Sequence, residues 1–414
     1  METLSNNVTC QNLPSFLSSF VDTFVDFSVS GGLFLLPQTP PPSSTTSKNL
    51  DSHFQPQLGP LQTVFPAPSR LVAIGDLHGD LSKAKQALRL AGLIDANDRW
   101  SGGSTTVVQV GDILDRGGDE LKILYLFEKL KREAARKNGT IITMNGNHEI
   151  MNVDGDFRFV AREGLDEFEN WALWYCVGND MKRLCEGFEL GHIKDPFYGV
   201  PSEFRGVKPE LLDGIRARNA ALRPNGPISE RFLSRNQTVV IVGESVFVHG
   251  GLLPNHVEYG LDRVNEDVSN WILGVKKKVE RELIRGRDSI VWTRKFSNEL
   301  PKNCDCSTLE HVLNTIPGAK RMIMGHTIQE KGINGVCENR AIRIDVGMSK
   351  GCGNGLPEVL EIIDNSAVRI LTANPLYQKK KYEDSLHDQQ KGGHGKHGSL
   401  FPEEQRQKQI EVNA

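Results

Sequence analysis

Short runs of β-branched and aliphatic residues alternate with segments of helical periodicity through the middle of the chain, roughly residues 70–375. These runs predict strands at Leu71–Ile74, Thr106–Val110, Thr140–Met144, Ser245–Val248, Arg321–Met324, Ala341–Ile344, Val359–Ile363 and Val368–Leu371. Helical periodicity follows the first two runs, over Asp80–Ala91 and Asp119–Lys137, and Asn138-Gly139 is a typical helix end. This alternation predicts an α/β domain.

The two ends of the chain lack this alternation. In the N-terminal segment, residues 1–36, apolar residues recur three and four positions apart and predict a short amphipathic helix over residues 15–27. We expect this helix to dock on the protein's own body, with a protein partner or a membrane surface as the alternative. Eight of the 20 prolines fall within residues 37–69 and predict a linker. The Gly- and Lys-rich residues 376–414 predict a flexible tail.

The charge balance excludes several classes of protein. The 414 residues include 49 Lys and Arg against 52 Asp and Glu, a formal net charge of −3. Without a basic block there is no electrostatic basis for binding nucleic acid. Two acids in the predicted N-terminal helix exclude a transmembrane segment there. Residues 1–47 contain no Lys or Arg, unlike an import presequence, so we expect a cytoplasmic protein.

Seven cysteines are present, none of them in a CxxC pattern. Cys304, Cys306, Cys337 and Cys352 lie in one late region. We expect buried free thiols, as is usual in a reducing compartment. The alternative is a redox pair, or oxidative import into the mitochondrial intermembrane space.

Polar side chains that can bind metal follow five of the predicted strands. The clusters are GDLHG (75–79), GDILDRG (111–117), NGNHE (145–149), HGG (249–251) and GHT (325–327). Because the carboxyl ends of neighbouring strands meet at one edge of an α/β sheet, these side chains should converge on one crevice. Each cluster alone could be an ordinary turn, whereas their joint occurrence predicts a metal site.

The types of ligand narrow the chemistry. Aspartate, histidine and asparagine without cysteine favour divalent ions such as Mn²⁺, Fe²⁺ or Zn²⁺. Two ions can be bound if one carboxylate bridges them, and a water that they share becomes a hydroxide near neutral pH. Arg116 suits the oxygens of a phosphate, and His148, next to Asn147, is placed to protonate a leaving alkoxide.

The motifs GDLHGD (75–80), GDILDRGGDE (111–120), GNHEIMN (146–152), VHGGLLP (248–254) and MGHT (324–327) resemble the signature series of phosphoprotein phosphatases among the calcineurin-like metallophosphoesterases. The surrounding sequence, over about residues 70–373, resembles the bacterial-type branch called Shewanella-like protein phosphatases, in its second plant type. The resemblance implies a central β-sandwich flanked by helices. It also implies hydrolysis of phosphomonoesters on Ser or Thr, with Tyr open, by direct attack of a metal-bridging hydroxide.

The resemblance further implies a role for each motif residue. The metal ligands would be Asp76 and His78 for the first ion, Asp112 as the bridge, and Asn147, His249 and His326 for the second. We expect Mn²⁺, with Fe or Zn as alternatives. Asp115 would orient the proton donor His148. The substrate phosphate would be bound by Arg116, Asn147 and Arg294.

The stretch between His148 and His249 is long, and a helical insert is expected over about residues 155–235. Its Trp171 and Trp174 are expected to pack the insert onto the body, and the alternative is a lid that sets substrate choice.

Two other functions remain open. Hydrolysis of a phosphoanhydride, such as a dinucleoside polyphosphate, would use the same metals and hydroxide. A catalytically inactive phosphate-binding scaffold is opposed by the complete set of ligands. Comparing phosphoproteins with dinucleotides as substrates under Mn²⁺ would separate a protein phosphatase from a phosphoanhydride hydrolase.

Overall fold

The computed structural model describes residues 14–33, 61–186, 195–298, 300–374 and 407–410. Its strands are β1 (Val64–Phe65), β2 (Arg70–Ile74), β3 (Thr106–Gln109), β4 (Thr140–Thr143), β5 (Val239–Val242), β6 (Ser245–Val248), β7 (Arg321–Met324), β8 (Asn334–Val336), β9 (Ala341–Arg343), β10 (Glu358–Ile363), β11 (Ala367–Thr372) and β12 (Gln407–Ile410). Its helices are α1 (Pro14–Val29), α2 (Leu81–Leu90), α3 (Glu120–Ala135), α4 (Asn147–Val153), α5 (Arg162–Glu186), α6 (Leu212–Leu222), α7 (Pro227–Arg231), α8 (Pro254–Tyr259), α9 (Leu261–Ile272), α10 (Arg281–Ile284) and α11 (Cys306–Thr315). Short 3₁₀ segments occur at Pro209–Leu211, Leu233–Arg235 and Pro301–Asn303.

The strands form two six-stranded sheets, in the orders β12-β11-β10-β2-β3-β4 and β1-β5-β6-β7-β9-β8. In the first sheet β2, β3 and β4 run parallel, and in the second β6, β7 and β9 do so. Because parallel neighbours end at the same edge, the loops after β2, β3 and β4 lie together, and so do those after β6 and β7.

The apolar side chains of both sheets belong to one hydrophobic core. Strands β6 and β7 are buried at every position, which explains their continuous apolar runs. The N-cap of α2 is Asp80, whose carboxylate accepts a hydrogen bond from the backbone of Lys83. Two sheets that share one core, with helices outside, confirm the predicted α/β class.

Helix α1 packs against α5 of the same chain. Val21 is fully buried, and Gly178 of α5 leaves room for Val25 because any larger residue would collide with it. Asp26 forms a bidentate ion pair with Arg231, with distances of 2.6 and 2.8 Å. The helix therefore docks on the protein's own body, as expected. Among the residues described, no helix is both long enough and apolar enough to cross a bilayer.

Several boundaries differ from the prediction. Strand β1 lies inside the predicted linker, 37–69, and pairs with β5 at a sheet edge, where flanking prolines are tolerated. Strand β12 lies inside the predicted tail, 376–414, because its backbone pairs with the free edge of β11. The predicted insert, 155–235, contains helices α5, α6 and α7. Residues 1–13, 34–60, 187–194, 299, 375–406 and 411–414 lie outside the described part of the chain.

The expectation of free thiols throughout is wrong for two cysteines. Cys306 begins α11, and the turn after β8 brings Cys337 to it with the Cα atoms 5.3 Å apart, so the two form a disulfide. Cys304 and Cys352 are free. Burial raises the pKa of the Cys352 thiol to about 12, which disfavours the reactive thiolate.

Candidate metal centre

The loops after β2, β3 and β7 turn back on themselves within one or two residues. Backbone φ angles are positive at His78 (43°), Asp112 (55°), Asp115 (68°), Arg116 (67°) and His326 (68°). Side chains other than glycine rarely adopt this left-handed region, and such residues cluster at functional sites. The turns aim charged side chains from both sheets at one buried point.

The ligand atoms of these side chains form two adjoining groups. In the first group the ligand atoms of His78, Asp112 and His148 lie within 4.8 Å of one another, and in the second those of Asp112, His249 and His326 do so. Asp112 belongs to both groups, as a bridging ligand must. Its Oδ2 lies 3.1 Å from Nε2 of His249 and 3.6 Å from Nε2 of His78.

Each of the three predicted ligand imidazoles contacts a backbone carbonyl through the ring nitrogen that faces away from the site. Nδ1 of His78 lies 2.9 Å from the carbonyl of Leu114, and Nδ1 of His249 lies 2.9 Å from that of Val110. His326 is turned the other way, with Nε2 at 3.1 Å from the carbonyl of Trp292. Such contacts fix the tautomer and leave the opposite nitrogen free for a metal.

The other two predicted ligands, Asn147 and Asp76, lie beside these groups. Oδ1 of Asn147 lies 2.9 Å from Nε2 of His249. Asp76 is buried and accepts the backbone amide of His326 at 3.1 Å. A Cβ on Gly325 would collide with the carboxylate of Asp76, so only glycine allows this approach. All six predicted ligands are thus brought together.

The negative charge of the carboxylates at this edge of the two sheets favours the binding of cations. Asp76, Asp112 and Asp345 are buried side by side. Burial and the neighbouring Asp345 and Asp112 raise the pKa of Asp76 well above its usual value. Burial disfavours the charged form of Asp112, but the adjoining imidazoles outweigh burial and lower its pKa. Since buried charges are stable only when paired or coordinated, this set of oxygen and nitrogen donors fits divalent metal ions.

His148 and Asp115 form a closely bonded pair beside the metal ligands. Nδ1 of His148 lies 2.6 Å from Oδ2 of Asp115. Burial lowers the pKa of His148, but Asp112 and the bond to Asp115 outweigh burial, so the net shift is upward. A raised pKa keeps the ring protonated, as a general acid requires.

The two predicted phosphate-binding arginines both lie at this site. In the part of the chain that the structure describes, Nε of Arg116 is buried without a hydrogen-bond partner, and the guanidinium carbon lies 5.2 Å from the ring centre of Phe159. Arg294 is partly buried, and its Nη1 donates to the carbonyl of His326 at 2.9 Å and to Thr327 at 2.7 Å. Arg116 therefore has a buried donor without a described partner, while Nη1 of Arg294 is bonded to the loop that carries His326.

Two site residues were not predicted from the sequence. The carboxylate of Glu149 accepts four backbone amides, those of Asp112, Ile113, Leu114 and Gly146, at 2.7 to 3.0 Å. It ties the loop after β3 to the loop after β4. Asp345 follows β9 and adds a third carboxylate. Their only signal was their position: Glu149 ends the NGNHE cluster, and Asp345 follows an apolar strand as Asp76 does.

Comparisons with known proteins agree with this geometry. The family described as calcineurin-like phosphoesterase matches residues 69–330. Shewanella-like protein phosphatase 2 of Arabidopsis thaliana is 59% identical over 98% of this chain and 97% of its own length. Shewanella-like protein phosphatase 1 of Plasmodium berghei is 28% identical over 75% of this chain and 76% of its own.

Among solved structures, a cold-active protein-tyrosine phosphatase of a psychrophilic Shewanella species is similar with a TM-score of 0.54 and 19% identity. The match covers 75% of this chain and 80% of that one. At this identity the likeness concerns the fold. It confirms the architecture predicted from the sequence.

Proposed function

The chain belongs to the calcineurin-like phosphoesterase family and, within it, to the Shewanella-like protein phosphatases, and we propose that it acts as a metal-dependent protein phosphatase through the residues described above. The observation that carries this proposal is the position of Asp112, whose carboxylate belongs to both groups of ligand atoms. Two ions that share a carboxylate are the arrangement that hydrolyses phosphate esters without a protein nucleophile.

We assign Asp76, His78 and Asp112 to one ion and Asp112, Asn147, His249 and His326 to the other. When bound, the two ions supply an activated water and withdraw charge from the phosphate. We propose Mn²⁺, with Fe or Zn as alternatives, because the donors are oxygens and imidazoles and none is a thiolate. Metal analysis of protein purified from its natural source tests this choice.

The chain's own residues carry the rest of the reaction. Arg116 binds phosphate oxygens with its guanidinium, whose Nε has no partner among the described residues, and Arg294 and Asn147 bind the phosphate with it. His148 donates its proton from Nε2 to the oxygen of the leaving side chain, because its Nδ1 is committed to Asp115. Burial of the site excludes bulk water from competing for these hydrogen bonds.

The test of this function compares substrate classes. Purified protein with Mn²⁺ should release phosphate from phosphopeptides and from p-nitrophenyl phosphate. Dinucleoside polyphosphates, the alternative substrates, should be poor ones, and Asp112→Asn is the matched inactive control. Faster turnover of dinucleotides than of phosphopeptides would contradict the proposal, and no turnover of any substrate would point to a binding scaffold.

The preferred phosphorylated residue is a finer question. We propose Ser and Thr, with Tyr as the second candidate. One observation favours Tyr: the ring of Phe159 lies 5.2 Å from the ring of His148 and is 39% exposed at the mouth of the site. An aromatic leaving group next to His148 could stack on it. Matched peptides carrying each phosphorylated residue in one sequence context test the preference.

Compartment and partners are proposals as well. We propose the cytoplasm, with the mitochondrial intermembrane space as the alternative, which the disulfide between Cys306 and Cys337 supports because disulfides persist in oxidising compartments. Imaging of the tagged full chain decides between them. A partner at α1 would contact Phe20 and Phe27, which are about half exposed.

A further inference from the structure

Arg218 is a fully buried cation outside the predicted site. It lies on α6 of the insert, and none of its side chain is accessible to solvent. Its guanidinium donates two hydrogen bonds to the carboxylate of Glu120, at 2.7 and 3.0 Å, and one to Oδ1 of Asp115 at 2.9 Å. A buried cation with so many partners has a fixed position.

The fourth contact of Arg218 leads to the same aspartate. Its Nε donates to Oδ1 of Asn152 at 2.7 Å, and Nδ2 of Asn152 in turn donates to Oδ1 of Asp115 at 2.9 Å. Nδ2 of Asn152 also contacts the backbone carbonyl of His148 at 2.9 Å. Arg218 thus reaches Asp115 directly and through Asn152.

The two carboxylate oxygens of Asp115 therefore accept hydrogen bonds from different residues. Oδ1 accepts Arg218 and Asn152, while Oδ2 accepts His148 at 2.6 Å. A carboxylate that is bonded on both oxygens cannot rotate without breaking at least one charge-assisted bond. The orientation of the His148 ring follows from the orientation of this carboxylate, because Nδ1 is bonded to Asp115 and Nε2 faces the predicted metal ligands, 3.9 Å from Oδ2 of Asp112.

We propose that Arg218 is a positioning residue for the proton donor, so that the helical insert forms part of the catalytic apparatus. Arg218 does not touch the substrate; it holds Asp115, and Asp115 holds His148. The inference rests on the proposed role of His148. It assigns to α6 a function in the reaction that differs both from packing alone and from a lid.

The geometry requires arginine at this position. Four hydrogen bonds leave three different nitrogens of one planar guanidinium toward Glu120, Asp115 and Asn152. A lysine has one nitrogen and can satisfy only part of this set. Removing Arg218 alone would leave Glu120 buried without a cation, so the informative variant also neutralises Glu120.

The test uses the double variant Arg218→Met with Glu120→Gln, and two substrates that differ in their need for a proton. The leaving group of a phosphoserine peptide is the serine alkoxide, which needs a proton from the general acid. The leaving group of p-nitrophenyl phosphate is p-nitrophenolate, which is stable without a proton. We expect kcat to fall about tenfold on the peptide, part of the roughly 10²–10⁴-fold that a general acid supplies, and about twofold or less on p-nitrophenyl phosphate. KM and metal content should stay the same.

Three control variants separate positioning from stability. Arg218→Lys should recover part of the loss on the peptide, since it keeps one cation near Asp115. Glu120→Gln alone leaves Arg218 on Asp115 and should show no dependence on the leaving group. Arg231→Met removes another arginine of the insert that is paired with two acids, Asp26 and Glu128. It should lower the melting temperature without favouring either substrate.

His148→Asn is measured in parallel to keep the two hypotheses distinct. If His148→Asn depends on the leaving group but the double variant slows both substrates equally, or neither, the role of Arg218 is overturned and the function stands. If His148→Asn itself shows no such dependence, the proposed proton donor is wrong. Should the double variant not fold, Arg218→Lys carries the same test, with a smaller loss expected on the peptide.

Discussion

The metal-binding edge and the network around Arg218 both hold carboxylates away from solvent, but they balance the charge differently. At the edge, Asp76, Asp112 and Asp345 lie close together, and in the described residues none of them forms an ion pair with a lysine or arginine. Around Arg218, Asp115 and Glu120 share one guanidinium. Bound cations would balance the negative charge of the first region, whereas the charge of the second is balanced by Arg218.

This difference separates the residues proposed to bind metal from the residues proposed to position the proton donor. Buried charge is stable only when it is paired or coordinated, so we expect the cluster of Asp76, Asp112 and Asp345 to be stabilised by bound cations. The compensated network gains nothing from a ligand and serves to hold its members still. His148 stands between the two, with Asp115 on one side and Asp112 on the other.

The largest effect is expected at the shared ligand. Asp112→Asn should lose metal from both positions, because the amide cannot bridge two cations. Mutating a residue that only hydrogen-bonds to a metal ligand typically lowers metal affinity or activity about 10–100-fold. Because Asp112 is itself a proposed ligand of both ions, we expect activity to fall further, by roughly 10³-fold or more. Metal analysis together with kcat on p-nitrophenyl phosphate measures both. Two full equivalents of metal in the variant would contradict the bridging assignment.

A large but selective effect is expected at His148. His148→Asn should keep both metals and nearly normal KM, while kcat on a phosphoserine peptide falls about 10²–10⁴-fold. The loss on p-nitrophenyl phosphate should be much smaller. His148 also lies within 4.8 Å of the ligand atoms of His78 and Asp112, so the metal content must be measured. Loss of one ion would mean that His148 is a metal ligand and not the proton donor.

The same contrast explains what the sequence could predict. The predicted metal ligands lie just after strands, in loops so short that the order of residues fixes their place, and all six of them converge. Arg218 lies on a helix 70 residues after His148, where nothing local marks it among the arginines of the insert. Its role depends on tertiary packing, which joins α6 to the loop after β3. Strands β1 and β12 were missed for the same reason, because each is defined by its partner strand.

A moderate effect is expected when metal is removed. Chelation should lower the melting temperature by roughly 5 to 10 °C, since the ions bind the folded protein and not the unfolded chain.

The stability of the metal-free protein should also depend on pH. Burial raises the pKa of Asp345 to about 6, above its value in an unfolded chain. Below about pH 4 both states are protonated, and between about pH 4 and 6 only the unfolded state ionises, so the stability of the metal-free protein should fall as pH rises.

Calorimetry of the chelated protein at pH 4.5 and 6.5 measures this fall. Asp345→Asn should reduce the pH dependence, because it removes one of the buried carboxyl groups whose pKa is raised in the fold. The metal-loaded protein should depend less on pH over the same range, since bound cations compensate the ionised carboxylates. An equal slope with and without metal would mean that the edge does not need outside charge.

The smallest effect is expected at Phe159, where the insert reaches the metal edge. Its ring lies 5.2 Å from both the ring of His148 and the guanidinium carbon of Arg116, and its backbone carbonyl accepts the amide of Arg116 at 3.0 Å. Substitution of the side chain leaves that backbone bond in place. An aromatic pair is worth about 0.5–1.5 kcal/mol, or roughly two- to tenfold.

Phe159→Leu should therefore lower kcat/KM for a phosphotyrosine peptide by roughly two- to tenfold, because leucine keeps an apolar contact but offers no ring for stacking. The matched phosphoserine peptide should change by less than about twofold, since its leaving group has no ring. Measuring both peptides on one preparation removes differences in metal loading. Equal losses would mean that Phe159 acts only by supporting Arg116, and the insert would then influence the reaction through Arg218 and not through choice of substrate.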